Sequence, residues 1–373
     1  MVLTLDSSDN LFGAPKPSAE PDPFEEARSK LLSLYNAGVP LFTKQAIRDF
    51  ELVRSNLRNG QETIPVKLLD GNTFDLPLLE VGSVGIAYDT DLKKIPDMEA
   101  IHEEPILEYC SLQHLFKGWG PEIFNPLALV YPLSLRRKDT GDIMPYNPCP
   151  PLSPLNQVRD HFTAKCEQWE ASKECKIVKS SLISANIPPN TCKVIAFALS
   201  SISYGQPDED IPYTLRSFYQ HALVLTVRDA LLQKAQMGKP TNDNKHFDIE
   251  CYAQDPVYCE HDKTVLAEAG IKVIPDPEGF LEADESSVVI SISPNVPVKQ
   301  IIADLVKPAV IIWEQVDRNE KIDLYARERH TDPISPRVIA MLRDSYDEVE
   351  FPGGLDCFRR LAIYVRRPAL AKS

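Results

Sequence analysis

Four short apolar runs between residues 249 and 313 decide the fold of this chain. They are IECYA (residues 249–253), IKVI (271–274), VVISI (288–292) and AVIIW (309–313). Short apolar runs with β-branched side chains are typical of buried strands. With the segments between them, the stretch reads as strand, short helix, strand, strand, helix, strand. This rhythm predicts an α/β fold with a mostly parallel, Rossmann-like sheet and flanking helices, whose strand ends line a shared crevice.

The sequence on either side of these runs extends the same pattern. A buried strand is predicted at residues 194–199, followed by a helix over residues 212–236 that ends at Gly238. Downstream, Ser335 and Pro336 predict the start of a helix that runs through Leu342. A last strand is predicted at residues 361–365, and its arginine-rich flanks indicate an edge position with antiparallel pairing.

The N-terminal part has a different pattern. Residues 1–21 predict a mobile tail. Asp22 is the predicted N-cap of a first helix, and a second helix is predicted from Thr43 to near Gly60. A β-hairpin is predicted around residues 70–72. We expect this helix pair and hairpin to pack on the sheet.

A proline-rich segment predicts the domain boundary. Five of the eleven residues from 144 to 154 are proline, which favours an extended connector. A long amphipathic helix is predicted to begin at the end of this segment, at Ser153 and Pro154. The predicted divisions are therefore the tail (1–21), an N-terminal helical and hairpin region (22–150) and an α/β domain (151–373).

Charge and composition restrict the classes of partner. The formal net charge is −14, so long-range electrostatics oppose binding to nucleic acid or to an anionic membrane. The sequence starts without a secretory signal and contains no apolar run of about 20 residues. Its eight cysteines have no paired spacing, which is typical of free thiols in a reducing compartment. We therefore expect a cytoplasmic or nuclear protein that acts on a protein partner or a small ligand.

Polar side chains that follow the predicted strands are the candidate ligand-binding residues. They are Ser200, Ser201, Ser203, Tyr204, Asp255, Ser293 and Asn295. A pyrophosphate cradle needs glycines early in the first loop, but here the only glycine is Gly205, so a standard nicotinamide or flavin site is not expected. The serines fit either a smaller anion or helix capping. Asp255 fits either a ribose hydroxyl or a local Asp-Pro turn.

Sequence motifs for strong catalysis are missing. Cys251, Cys259 and His261 lie near one another in sequence, but their spacing does not fit a structural zinc site, and no metal is predicted. The chain has no Gly-x-Ser-x-Gly nucleophile elbow. His221 lies within an apolar helix and is interpreted as a core histidine. No resident cofactor is predicted, although a nucleotide-like ligand fits the expected crevice.

Several motifs of this stretch belong together: the run from Cys251 to Tyr258, Asp262, Leu266, the Gly-Ile-Lys-Val turn at 270–273 and Trp313. Together they resemble the SRR1-like (sensitivity to red light reduced) domain family. The resemblance covers about residues 192–313, and the N-terminal and C-terminal extensions resemble the fungal branch. Two motifs differ. The family pattern Gly-Leu-Gly-Ser is Ala-Leu-Ser-Ser at 198–201, and Met-Pro-His-Cys is Ser-Pro-Asn-Val at 293–296.

The resemblance implies a regulatory protein, since members of the family are described as regulators, including of light and clock responses in plants. Together with the missing glycines and histidine, it predicts action through protein contacts or a small ligand, without strong catalysis. The alternative is a methyltransferase-like or other transferase that binds a nucleotide or adenosyl ligand at the strand ends. The sequence leaves open whether the protein is an enzyme.

Overall fold

The computed structural model describes residues 24–55, 57, 62–88, 93–145, 152–204, 212–237, 248–325, 331–353, 356–358 and 360–368. The predicted tail, Asp22, Gly60, Gly205, Gly238 and most of the proline-rich segment lie outside these residues. Cα packing divides the chain into two units, Met1–Cys149 and Pro150–Ser373. Each unit is described by itself.

The N-terminal unit begins with the two predicted helices, α1 (Glu25–Asn36) and α2 (Lys44–Ser55). The Thr43 hydroxyl accepts a hydrogen bond from the Ala46 N–H at 3.0 Å, as expected of an N-cap. The apolar faces of both helices are buried through Leu31, Tyr35, Ile47 and Phe50. The helices predicted here are confirmed, and their packing on the sheet of the second unit stays a prediction.

The predicted hairpin is also confirmed. Strand β1 (Thr63–Lys67) pairs antiparallel with β2 (Thr73–Pro77), with Val66 opposite Phe74. In the turn, the Asp70 carboxylate accepts the Asn72 N–H at 3.1 Å, which is an Asx turn.

The rest of this unit, for which the sequence made no assignment, is mostly antiparallel strand. Four strands form one sheet in the order β3-β4-β7-β8, and β5 pairs with β6. The elements are β3 (Val84–Tyr88), β4 (Lys94–His102), β5 (Ile106–Tyr109), α3 (Leu112–Lys117), a 3-10 helix (Gly120–Phe124), β6 (Leu127–Val130), β7 (Leu133–Arg137) and β8 (Ile143–Pro145).

The second unit is the predicted α/β sheet with its helices. Its elements are α4 (Leu155–Ala171), α5 (Lys173–Ser184), β9 (Lys193–Phe197), α6 (Pro212–Met237), β10 (Glu250–Gln254), α7 (Glu260–Glu268), β11 (Lys272–Val273), α8 (Glu278–Glu282), β12 (Ser287–Ser291), α9 (Val298–Leu305), β13 (Val310–Glu314), α10 (Pro336–Ser345), β14 (Tyr346–Glu350), a 3-10 helix (Asp356–Phe358) and β15 (Leu361–Arg366). The seven strands lie in the order β11-β10-β9-β12-β13-β15-β14. The strands from β11 to β13 are parallel, and β15 and β14 are antiparallel additions. The predicted fold class is therefore confirmed.

Three details differ from the prediction. The strand predicted at 361–365 is antiparallel as expected, but it is not the edge, because β14 pairs with its outer side. Strand β14 was missed since its sequence, YDEVE, is charged, as edge strands often are. Helices α5 and α8 were also missed. The short α8 lies between β11 and β12, where two successive strands were predicted, because parallel strands need a crossover connection.

The two faces of the sheet are covered differently. Alternate strand residues such as Val194 and Ile290 join α4, α5, α6 and α7 in one apolar core. On the opposite face, Phe280 of α8 stacks on Phe197 of β9, with ring centroids 4.6 Å apart. Among the described residues, no helix is long and apolar enough to cross a membrane.

Candidate functional site

The candidate residues follow strands whose carboxyl ends meet at one edge of the sheet. From β9 the chain adds β10 and β11 on one side and β12 and β13 on the other, so the strand order reverses between β9 and β12. In open α/β sheets, such a reversal point is where ligands bind. The loops after β9 and β12 form the two sides of this point, and Asp255 follows the neighbouring strand β10.

The loop after β9 has a backbone conformation that normally favours glycine. Ala198 and Ser200 have φ angles of 59° and 62°. These are the two positions at which the SRR1-like pattern has glycine. A left-handed conformation costs a residue with a side chain roughly 1–2 kcal/mol. The loop therefore has a left-handed backbone at both positions, although neither residue is glycine.

Glycine at these positions should stabilise the protein. Because glycine removes the Cβ strain but is more flexible when unfolded, we expect Ala198→Gly and Ser200→Gly each to raise the free energy of unfolding by about 0.5–1 kcal/mol. Chemical denaturation measures this change. Ala196→Gly is the matched control, since Ala196 is buried within β9 and has no left-handed strain. A loss of stability in Ala198→Gly as large as in Ala196→Gly would rule the strain out.

The carboxylate of Asp262, in α7, holds the loop in place. This side chain is fully buried. It accepts hydrogen bonds from the Ser201 hydroxyl at 2.8 Å, the Ser203 hydroxyl at 2.7 Å and the Ile202 N–H at 2.9 Å. It also accepts the Cys259 N–H at 2.8 Å, which caps α7. Asp262 thus joins the loop to the start of α7.

Asp255 makes a second set of contacts to the backbone. Its Oδ2 accepts the Ser200 N–H at 2.8 Å, and its Oδ1 accepts the Val257 N–H at 3.2 Å. The second contact is the local turn that the Asp-Pro sequence favours. Burial raises the pKa of the Asp255 carboxyl above its ordinary value, and the two N–H donors oppose that shift.

Behind the loop, His221 is buried and fully hydrogen-bonded, as expected of a core histidine. Its Nδ1–H donates to the Ser217 carbonyl at 2.7 Å, and its Nε2 accepts the Tyr258 hydroxyl at 2.7 Å. Burial lowers the pKa of His221 to about 4. The Ser217 hydroxyl in turn donates to the Ser200 carbonyl at 2.9 Å. Helix α6 is thereby linked to the loop.

On the other side of the reversal point, the loop after β12 and the start of α9 are attached to a later segment, and the Thr331 hydroxyl donates to the Pro294 carbonyl in the loop. Ser293 is also left-handed, with a φ of 53°. Asp332 caps α9 by accepting the Lys299 N–H at 2.9 Å and forms a buried ion pair with the Lys299 ammonium at 2.7 Å. Burial raises the pKa of Asp332, and Lys299 opposes the shift.

The predicted residues differ in how far their side chains are exposed. Ser201 and Ser203 are buried and donate to Asp262, whereas Ser200, Ser293 and Asn295 are exposed. Asp255 is partly exposed. Tyr204 is half-buried and pairs its backbone with that of Leu152. Ser200, Ser293 and Asn295 are therefore the candidates whose side chains are most exposed to solvent at the reversal point.

Sequence reasoning did not identify Asp262 as a residue of the site. The available signal was its position three residues after Cys259, at the start of a predicted helix, where an acidic residue commonly completes a capping box. What the sequence could not show is that the same carboxylate also accepts donors from a loop about 60 residues earlier.

The residues considered for metal binding have other contacts. Cys251 is buried in β10, and His261 Nδ1 lies 3.0 Å from the Ser153 carbonyl oxygen. Within the described ranges, no group of three or more His, Cys, Asp or Glu side chains is placed to hold a metal ion. Burial raises the pKa of the Cys251 thiol to about 12, which keeps it protonated.

Comparison with known families agrees with the resemblance seen in the sequence. Residues 185–363 match the model of the SRR1 domain. This match includes every candidate residue and extends beyond the predicted family core of 192–313. No curated protein and no solved structure matched the chain.

Proposed function

We propose that this chain, which matches the SRR1 domain over residues 185–363, is a regulatory protein that acts through protein contacts or a small ligand, without strong catalysis. The observation that carries this proposal is the use of the loop hydroxyls. Ser201 and Ser203 donate to the buried Asp262 carboxylate, so their hydroxyl groups stabilise the loop itself.

The positions of the histidines support the same proposal. A serine nucleophile needs a base within hydrogen-bond reach. Both ring nitrogens of His221 are engaged, by Ser217 and Tyr258. In the described part of the chain, no hydrogen bond joins Ser200, Ser201 or Ser203 to an imidazole. This arrangement favours binding over nucleophilic catalysis.

A second candidate is a transferase that binds a nucleotide or adenosyl ligand. The observation that favours it is the left-handed backbone of Ala198, Ser200 and Ser293 on both sides of the strand reversal. That conformation is the one that glycines supply where a ligand approaches a backbone closely. In this version Ser200 and Asn295 would contact the ligand with their exposed side chains.

A thermal-shift screen with nucleotides and adenosyl compounds distinguishes the two candidates. A ligand at 100 times its Kd stabilises a protein by about 2.7 kcal/mol, which is several degrees in Tm. We expect no such shift from any of these compounds at millimolar concentration. A shift of several degrees that is lost in Asn295→Ala, and kept in the distant control Glu350→Ala, would favour the transferase instead.

Partner capture tests the leading proposal directly. With the purified partner in hand, Asp255→Ala should bind it as tightly as the wild type, because the proposal places no reacting group there. Circular dichroism would verify that the variant is folded. Loss of partner binding in a folded Asp255→Ala protein would contradict the proposal.

A further inference from the structure

Two buried polar side chains at the carboxyl ends of the neighbouring strands β12 and β13 have no hydrogen-bond partner among the residues that the structure describes. They are the Ser291 hydroxyl and the Trp313 indole N–H. Ser291 is 2% exposed and Trp313 is 0% exposed, so bulk water does not reach them. A buried polar group without a partner costs roughly 1–3 kcal/mol, and such groups normally have a protein or water partner.

The register of the sheet places these two side chains next to each other. Val289 pairs with Ile311, and Ile290 pairs with Ile312. One further step along both parallel strands brings Ser291 beside Trp313, on the face opposite the large apolar core.

The two strands part at this same step. The pairing between β12 and β13 ends at Ile290 and Ile312, although Ser291 still pairs with Phe197 and Trp313 still pairs with Ala362 on the other sides. The pairing of β12 with β13 therefore ends at the position of the two polar groups.

We propose that Ser291 and Trp313 together bind one buried water molecule. The indole N–H can only donate, so its partner must offer an acceptor, whereas the serine hydroxyl can donate and accept. A water molecule satisfies both. Protein interiors are close-packed, and the almost complete burial of both side chains leaves no access for a larger ligand. Buried waters usually make two to four hydrogen bonds to such groups.

The proposal concerns the base of the candidate site. Ser291 is the last residue of β12, two positions before the left-handed Ser293. The water would fix the ends of β12 and β13 where the loop after β12 begins. It stands independently of the proposed function.

Thermal denaturation of Ser291→Ala tests the proposal, with Ser287→Ala as the matched control. Ser287 is at the other end of β12, is equally buried, and has direct hydrogen bonds to Asp284. If the Ser291 hydroxyl binds water, both variants should have a Tm lowered by a few degrees. If Ser291→Ala instead has an unchanged or raised Tm, the hydroxyl had no partner and the proposal is wrong.

A double-variant comparison and a crystal structure complete the test. Because one water joins both groups, the Tm losses of Ser291→Ala and Trp313→Phe should not add in the double variant; additive losses would contradict a shared water.

A high-resolution crystal structure should show one water within hydrogen-bond distance of Trp313 Nε1 and Ser291 Oγ. Its absence there would overturn the proposal. In the same crystal structure, Trp169 is the control for Trp313, because its indole N–H already donates directly to the Thr226 hydroxyl at 2.7 Å.

Discussion

Replacing Asp262 with alanine should lower the free energy of unfolding by about 3–5 kcal/mol. The carboxylate is fully buried and accepts hydrogen bonds from two hydroxyls and two backbone N–H groups. The hydroxyls of Ser201 and Ser203 can turn toward other acceptors. The N–H groups of Ile202 and Cys259 cannot turn, so alanine leaves both without this acceptor, the Ile202 N–H in a buried position and the Cys259 N–H in a partly buried one.

Chemical denaturation of Asp262→Ala beside Asp347→Ala makes this prediction specific. Asp347 is an exposed carboxylate that pairs with Arg367 at 2.7 Å, and exposed pairs contribute about 0–1 kcal/mol. The same substitution should therefore have a small effect there. A loss below about 1 kcal/mol in Asp262→Ala would show that the loop finds other partners.

A double-variant cycle would locate the effect in the loop. Ser203→Ala should destabilise the wild type by about 1 kcal/mol, because it removes one donor to a buried carboxylate. In the Asp262→Ala background the same change should have little effect, since the acceptor is already gone. Equal effects of Ser203→Ala in both backgrounds would argue against a direct contribution of this hydrogen bond.

The stability of the protein should fall in acid because of His221. Burial lowers the pKa of His221 in the folded state to about 4, against an ordinary value of 6.5. Between these values the unfolded chain binds a proton that the folded protein does not. The His221 contribution is therefore fully present above pH 6.5 and is lost as the pH falls toward 4. The loss amounts to about 3 kcal/mol over this range.

Comparison with His221→Gln isolates this effect from those of other groups. The carboxyls of Asp255 and Asp332, whose pKa values burial raises, act in the opposite direction as the pH falls. These contributions are common to both proteins and cancel in the difference. Urea denaturation at several pH values between 7.5 and 4 should show a flatter profile for the variant. Parallel profiles would mean that His221 is not held neutral in the folded protein.

The α/β sheet was predictable because each of its central strands is buried on both faces. Such strands are short apolar runs, and all four runs between residues 249 and 313 correspond to strands, with bounds that differ by one residue at each end. The helices after Thr43 and Ser335 were predictable from their N-caps. These features depend on residues that are close in sequence.

The elements that were missed lack such a local signal. Strand β14 is half exposed and carries three acidic residues, so only its pairing with β15 makes it a strand. Helix α8 has five residues, and its burial comes from the contact of Phe280 with Phe197, about 80 residues earlier. For β15, the sequence indicated the antiparallel direction but placed it one strand too close to the edge.

For the candidate site, too, one part was predictable from the sequence and another part was not. The positions after the strands were predictable, because the carboxyl ends of parallel strands meet at one edge. What each side chain does there was not predictable. Ser200, Ser201 and Ser203 are similar in sequence, yet Ser200 is exposed while the other two donate to a buried carboxylate.

Local sequence patterns were enough to predict the fold class, the SRR1 resemblance and the edge of the sheet at which to look for a ligand. The folded structure was needed to show that Asp262 holds the loop, that Ala198 and Ser200 have a left-handed backbone, and that the sheet register brings Ser291 beside Trp313. The physical reason is range. Strand and helix patterns arise from neighbouring residues, whereas hydrogen bonds to a buried carboxylate join groups about 60 residues apart, and those depend on how the strands are ordered in the sheet.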